Sequence, residues 1–273
     1  MLSLIGLFAC SMEPPGDVVI TTAYDVDWST VPSPPGAGAP AQLSLTVRGL
    51  DGQPVQDLQL NHARMVHTVF ISADLRTFMH LHQEDTRSVS VDDLRAGTFS
   101  FPLTFPTSGD YLVAFDYAHQ NLWLQTTDRL TVSGTPAQQP APDLSGGEEF
   151  AGDDVQATLT WTGAPQVGGQ AAWEVTLRDG TGAEITDLVP WLSADGHCVF
   201  ANEDLTWVSH SHAWVPGMED MTPTMEMPHT YDGPTVRFRA FMPISGWWRM
   251  WCQFLRANDQ TPLTVSFPYE VAP

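Results

Sequence analysis

The sequence contains one internal repeat, and this repeat constrains the fold more than any other feature. Residues 67–82 and residues 197–212 are two versions of the same segment. Each version carries three histidines, and the members of each pair lie 130 residues apart: His67, His80 and His82 in the first copy, His197, His210 and His212 in the second. Because self-similarity at a fixed spacing indicates a repeated structural unit, we expect two similar domains.

Alternating apolar residues outside these segments are typical of β-strands. The residues that alternate are, in the first copy, Leu43, Leu45, Val47, Phe99, Phe101, Leu103 and Phe105, and in the second copy Trp173, Val175, Leu177, Val236, Phe238, Ala240 and Met242. A last strand is expected near residues 130–132 and 263–265. About seven short strands per unit, with turns between them, predict an all-β protein made of two tandem Ig-like β-sandwich repeats, with no amphipathic helix. The predicted divisions are residues 1–16 (lipoprotein-type signal and tether), 17–134 (first repeat), 135–150 (linker) and 151–273 (second repeat).

The repeated segment is expected to form a β-hairpin that brings its three histidines together. Residues i and i+2 of a strand lie on one side, about 7 Å apart, and a turn centred between Asp74 and Leu75 places His67 opposite His82. Three neutral imidazoles near one point suit zinc, copper or nickel. Such a site should lose metal as the pH falls below about 6 to 6.5. The alternative is that these are packed or surface histidines with a structural role.

The second copy contains an insertion rich in methionine. The offset between the copies changes from 130 to 137 beyond the hairpins, which places seven extra residues between His212 and Pro234. Its candidate ligands are Met218, Met221, Met225, Met227 and His229. Thioethers select Cu(I), so a copper ion is favoured as the cofactor, with zinc as the alternative. The methionines could instead fill apolar gaps. His62 and His119 have no counterpart, and we assign them structural roles.

Two cysteines occur together in the second copy. Cys198 and Cys252 correspond to Thr68 and Phe115 in the first copy, so both thiols are absent there. This pattern favours a disulfide over a free buried pair or a metal thiolate at Cys198. A bridge between core strands beside tryptophan resembles the inter-sheet disulfide of immunoglobulin domains, and it indicates an oxidising compartment.

The N-terminus resembles that of bacterial lipoproteins. Residues 1–10 form an apolar run, and residues 7–10 are similar to a lipobox. The resemblance implies cleavage before Cys10, lipidation of Cys10, and export to the periplasm, outer membrane or cell surface. Residues 1–9 lack the basic residue that a signal peptide normally carries, so an ordinary apolar N-terminus is the alternative.

Charge and motifs exclude several functions. The chain has 11 basic residues against 32 acidic ones and a formal charge of −21, which disfavours nucleic acid and anionic membranes as partners. A membrane contact is expected only through the lipid anchor. The sequence lacks a nucleophile elbow, a P-loop and a dinucleotide fingerprint. We therefore expect a binding protein and no catalysis, with a zinc-dependent hydrolase as a weaker reading.

One stretch resembles a known family. Residues 74–82, a following Gly-Thr-Phe strand and residues 105–111 are similar to exported bacterial heavy-metal-binding modules, which often occur in pairs and carry an Asp-Leu…His-x-His-Pro pattern. Here Gln83 and Ala213 stand where that pattern has proline. The insertion with its methionines and histidine favours an exported lipoprotein that binds copper or a related metal for buffering, delivery or resistance. The alternative is a structural or adhesion lipoprotein of the cell envelope that binds no metal.

Overall fold

The computed structural model describes residues 19–20, 24–135, 141–152, 154–217 and 227–273. Within these residues the chain is almost entirely β-structure. The strands are β1 Val19–Ile20, β2 Asp25–Val31, β3 Pro40–Arg48, β4 Val66–Ser72, β5 Phe78–Leu81, β6 Thr98–Thr104, β7 Gly109–His119, β8 Leu122–Val132, β9 Glu149–Ala151, β10 Val155–Gly163, β11 Gln170–Asp179, β12 Leu188–Val189, β13 His197–Asn202, β14 Val208–His212, β15 Thr235–Phe241, β16 Gly246–Arg256 and β17 Leu263–Val271. The helical elements are α1 Val91–Ala96 and a 3₁₀ turn at Gln83–Asp85.

Each repeat forms a sandwich of two sheets. In the first repeat a sheet of order β1-β8-β7-β4-β5 packs on a sheet of order β2-β3-β6. In the second repeat a sheet containing β12, β16, β13 and β14, with β17 also paired to β16, packs on a sheet of order β15-β11-β10-β9. The predicted fold, two tandem Ig-like β-sandwiches, is confirmed. The pairing is also repeated, since Leu43 lies opposite Phe101 and Trp173 lies opposite Phe238.

Alternation of buried and exposed residues explains why these segments form strands. In β3 and β11 every second side chain is buried, because one face of each strand packs into the sandwich and the other meets solvent. Large aromatic side chains fill both interiors. The fully buried ones include Phe70, Phe99, Phe101, Phe105 and Phe115 in the first repeat and Trp173, Phe200, Phe238, Trp248 and Phe254 in the second.

Strands β4 and β13 are buried over their whole length, because the outer face of each strand packs against the other repeat. A third apolar core lies between the sandwiches and contains Val69, Ile71, Leu75, Leu112 and Ala114 together with Val199, Ala201, Leu205, Val208 and Trp251. The rings of Phe78 and Trp251 stack across it at 5.2 Å. The turn residues Asp74-Leu75 recur in the second copy as Asp204-Leu205. Leu75 and Leu205 have φ of 58° and 54°, and both side chains enter this core.

The last strand is present in both repeats. The Leu-Thr-Val sequences at residues 130–132 and 263–265, which are identical, do not occupy equivalent positions in it. In the first repeat Leu124 lies opposite Tyr117, and in the second Leu263 lies opposite Phe254. Leu263 therefore corresponds to Leu124 and not to Leu130. A strand pattern of period two fits several registers, and only the pairing with the neighbouring strand selects one.

Helix α1 was not predicted from the sequence, because it is shorter than two turns and buries no side chain. Its N-terminus has a capping box in which the Ser90 side chain accepts from the Asp93 amide, and Gly97 ends it with φ of 57°, a left-handed conformation that glycine adopts easily. No helix among the described residues is long and apolar enough to cross a membrane.

The disulfide between Cys198 and Cys252 is confirmed, with the two Cα atoms 4.1 Å apart. Its predicted likeness to an inter-sheet bridge is wrong. The two cysteines lie directly opposite each other on β13 and β16, neighbouring strands of one sheet. Thr68 and Phe115 form the equivalent pair in the first repeat.

Candidate metal centre

The first histidine trio comes from the hairpin of β4 and β5. Thr68 pairs with Leu81, which is the register predicted from the turn and which sets His67 across from His82. His67 Nδ1 lies 3.0 Å from both His80 Nε2 and His82 Nε2, and these two Nε2 atoms are 3.1 Å apart. Three ring nitrogens therefore converge on one point.

The other nitrogen of each ring is held by an oxygen atom. The contacts are His67 Nε2 to the Asn61 carbonyl at 2.8 Å, His80 Nδ1 to Gln253 Oε1 at 2.9 Å and His82 Nδ1 to Asp85 Oδ2 at 2.7 Å. Because these oxygens accept hydrogen bonds, the single proton of each neutral imidazole sits on the outer nitrogen. The three inner nitrogens then present lone pairs to one another, which is the pattern of histidines that ligate a metal.

Burial keeps these imidazoles neutral. Removal from water lowers the pKa of His67 and of His80 well below the usual 6.5, and the neighbouring imidazoles lower it further. Burial also lowers the pKa of His82, against the opposing effect of the Asp85 carboxylate. The trio is therefore ready to bind a cation at neutral pH without first losing protons.

The second trio lies at the equivalent positions on β13 and β14, with one difference: no hydrogen-bond partner for His212 Nε2 occurs among the described residues. His197 lies directly opposite His212, as predicted, and His197 Nδ1 is 3.2 Å from His210 Nε2. The ring centroids in the second trio are 5.3, 4.7 and 4.7 Å apart, against 5.2, 4.7 and 4.6 Å in the first. The outer contacts are His197 Nε2 to the Trp191 carbonyl at 2.8 Å and His210 Nδ1 to Asp116 Oδ2 at 3.3 Å.

The two trios adjoin at the interface between the repeats. The ring of His210 lies 5.2 Å from that of His80 and 5.4 Å from that of His67. The ligand atoms of His67, His80 and His210 lie within 4.8 Å of one another, and so do those of His197, His210 and His212. We call these six residues the six-histidine cluster.

His62, to which we assigned a structural role, lies beside the second trio. Its ring centroid lies 3.7 Å from that of His212 and 6.1 Å from that of His197. The side chain is buried, and no hydrogen-bond partner for either ring nitrogen occurs in the part of the chain described here. Comparison of the two repeats could not identify His62, because the equivalent residue in the second repeat is Leu192. His119, in contrast, contacts Tyr24 and Asp57 away from the cluster.

Of the candidate ligands in the insertion, the structure describes Met227 and His229. His229 Nδ1 lies 2.6 Å from Asp195 Oδ1 and its Nε2 lies 2.9 Å from Asp232 Oδ1, and these carboxylates raise the pKa of His229. Both nitrogens are thus occupied and the charged form is favoured, so His229 is not placed as a ligand. Met227 is half-buried. Met218, Met221 and Met225 lie outside the described residues, as does Cys10.

The residues that contact the outer nitrogens were not predicted from the sequence. Among them, Asp116 and Gln253 are the ones that a sequence pattern could have identified. Both are buried polar residues in otherwise apolar strands, and they occupy equivalent positions, opposite His67 and His197 respectively. The pairing of Cys198 in a disulfide excludes the thiolate ligand that was considered for it.

Solved structures show only distant likeness to this chain. The α2-macroglobulin of Salmonella is 11% identical with a TM-score of 0.28, covering 99% of this chain and 16% of its own. The Escherichia coli adhesin FdeC is 15% identical with a TM-score of 0.25, covering 93% of this chain and 67% of its own. The Yersinia pseudotuberculosis adhesin InvE is 13% identical with a TM-score of 0.24, covering 89% and 58%. At these scores no role is transferred from them.

The sequence comparisons give a family but no activity. No curated protein matches the chain. A family model described as a domain of unknown function, DUF8832, matches residues 19–134 and 150–273. These two segments contain both sandwiches and all six histidines of the cluster, and the chain therefore belongs to the DUF8832 family.

Proposed function

We propose that this protein binds transition-metal ions through the six-histidine cluster, with copper favoured and zinc as the alternative. The observation that carries the proposal is the convergence of three unprotonated nitrogens within 3.1 Å in the first trio. Metal–nitrogen bonds of about 2.0–2.1 Å in tetrahedral geometry separate the nitrogens by about 3.3 Å. The first trio is within a few tenths of an ångström of that spacing.

A purely structural role accounts poorly for this arrangement. A buried polar atom without a partner costs about 1–3 kcal/mol, and packed histidines are normally arranged so that their nitrogens find donors or acceptors. In the first trio the outer nitrogens contact oxygens while the inner ones face each other, and in the second trio His197 and His210 are arranged in the same way. A cation between the lone pairs would remove the cost in both trios.

The donor set agrees with the proposed ions. Imidazole binds zinc and copper, and the only ligands in the cluster are imidazoles. Copper is favoured over zinc because Met218, Met221, Met225 and Met227 follow His212 closely in the sequence. Three histidines per trio leave a coordination position for a further ligand, which suits uptake and release.

We further propose that the protein is exported, lipid-anchored at Cys10, and acts in metal buffering, delivery or resistance without catalysing a reaction. The disulfide between Cys198 and Cys252 supports an oxidising compartment. The lipobox-like residues 7–10 and the resemblance to exported heavy-metal-binding modules support the remainder.

A structural or adhesion module of the cell envelope is the second candidate. The observation that favours it is the packing of two Ig-like sandwiches through an apolar core, Leu75 and Leu205 among its residues, since sandwiches packed in this way suit display of loops. Under this function the histidines would bind no metal.

One titration separates the two functions. The protein from Ser11 onward would be titrated with Cu²⁺ and with Zn²⁺ by calorimetry, with metal content measured by elemental analysis, beside the His80→Ala/His210→Ala variant. His119→Ala is the matched control, because it removes a buried histidine outside the cluster. We expect stoichiometric binding by the unchanged protein and the control, and a loss of at least about 100-fold in the double variant, because it removes one ligand from each trio. Binding no tighter than millimolar in all three proteins would reject the metal function.

A further inference from the structure

The middle histidine of each trio is oriented by the opposite repeat. His80 belongs to β5 of the first sandwich, and its Nδ1 contacts Gln253 on β16 of the second at 2.9 Å. His210 belongs to β14 of the second sandwich, and its Nδ1 lies 3.3 Å from Asp116 on β7 of the first. The exchange is reciprocal, because Asp116 and Gln253 occupy equivalent positions in the two repeats.

Each orienting side chain is itself held by its own repeat. Asp116 Oδ1 accepts a hydrogen bond of 2.7 Å from Gln125 Nε2 on the adjacent strand. Gln253 Nε2 donates to Thr264 Oγ1 at 3.3 Å, which turns Oε1 of the amide toward His80. Thr264 lies opposite Gln253 just as Gln125 lies opposite Asp116. Both residues are buried, and each is hydrogen-bonded to a neighbour in its own repeat as well as facing the histidine of the other.

We propose that Gln253 and Asp116 are positioning residues that complete the metal site of the opposite repeat, so that metal binding is coupled to the docking of the two sandwiches. This inference rests on the proposed metal-binding function. Without Gln253, His80 Nδ1 has no acceptor that keeps the proton on this nitrogen. The proton can then move to Nε2, which no longer presents a lone pair toward His67. Outer contacts of this kind are worth about 10–100-fold in metal affinity.

The interface has the contacts that such coupling needs. Phe78 stacks on Trp251, and the guanidinium of Arg129 in the first repeat donates to the Leu205 carbonyl in the second at 2.7 Å. An ion that binds the docked arrangement more tightly than the separated one stabilises docking by the same factor. Bound metal would thus stabilise the docked arrangement of the two sandwiches.

The test uses two backgrounds, each with one complete trio. His197→Ala/His212→Ala keeps the first trio, and His67→Ala/His82→Ala keeps the second. Gln253→Leu is introduced into both backgrounds, and Cu²⁺ affinity is measured by calorimetry. We expect Gln253→Leu to weaken the first trio by about 10–100-fold and to leave the second trio within about threefold, although Gln253 belongs to the second repeat. Gln253→Glu, which keeps an acceptor oxygen, should restore the first trio.

The reciprocal variants give the opposite pattern. Asp116→Leu should weaken only the second trio, and Asp116→Asn should restore it. Gln253→Ala replaces Gln253→Leu if the leucine variant does not fold, as judged by circular dichroism. Equal losses in both backgrounds, a loss confined to the residue's own repeat, or no rescue by glutamate would overturn the coupling. Absence of Cu²⁺ binding in the unsubstituted protein would instead reject the metal function itself.

Discussion

Replacing His62 with leucine is expected to stabilise the metal-free protein. The His62 side chain is 3% exposed, and neither ring nitrogen has a partner among the described residues. The equivalent Leu192 is 5% exposed and has φ of 52°, against 45° for His62. The second repeat therefore shows that this left-handed turn accepts leucine, so the substitution should add no backbone strain.

The magnitude follows from two terms. A buried polar group without a partner costs about 1–3 kcal/mol, so we expect a gain of about 2 kcal/mol at pH 8. Burial, aided by the nearby His210, also lowers the pKa of His62 from 6.5 to about 3. The unfolded chain takes up this proton below pH 6.5 while the folded protein does not, so wild-type stability falls as the pH drops from 6.5 toward 3. At pH 5 this second term is about 2 kcal/mol, and leucine removes it.

The assay is urea unfolding followed by tryptophan fluorescence, with a chelator present, at pH 8 and pH 5. His62→Leu should exceed wild type by about 2 kcal/mol at pH 8 and by about 4 kcal/mol at pH 5. His119→Leu is the matched control: it is 7% exposed, but both ring nitrogens have partners, so it should lose stability. A His62→Leu protein less stable than wild type at both pH values would refute the reasoning.

Two further predictions concern the bridge and the cluster. Cys198→Ala/Cys252→Ala opens a crosslink across 54 residues, and chain entropy predicts a loss of about 4 kcal/mol in urea unfolding; an unchanged midpoint would contradict it. Because burial lowers the pKa of the cluster's His67, His80, His197 and His212 well below 6.5, bound Zn²⁺ should be half-released at a pH below 6.5. Release measured with a colorimetric chelator at or above that pH would argue against ligation by these buried imidazoles.

The sequence was sufficient where local rules apply. A turn at Asp74 and Leu75 together with the two-residue period of a strand fixes which residues face each other, so the convergence of His67, His80 and His82 was predictable. The paired absence of both cysteines from the first copy identified the disulfide. It did not identify its placement, because the assignment of Cys198 and Cys252 to one sheet depends on strand order.

The rest of the site depended on contacts that leave no periodic signal. His62 had no counterpart to mark it, and the carboxylates that occupy His229 lie 34 residues away at Asp195 and at the nearby Asp232. The register of the last strand followed from its pairing with Tyr117 and Phe254, since alternating side chains alone fit more than one alignment.

The sequence by itself determined two similar β-sandwiches and a histidine hairpin in each, because both follow from alternation, turns and an internal repeat. Only the tertiary structure decided that the hairpins meet in one cluster and that each repeat orients a histidine of the other. His80 and Gln253 are 173 residues apart in the chain. Their contact arises from the burial of apolar side chains between the sandwiches, and burial against a partner surface is non-directional, so no local pattern encodes it.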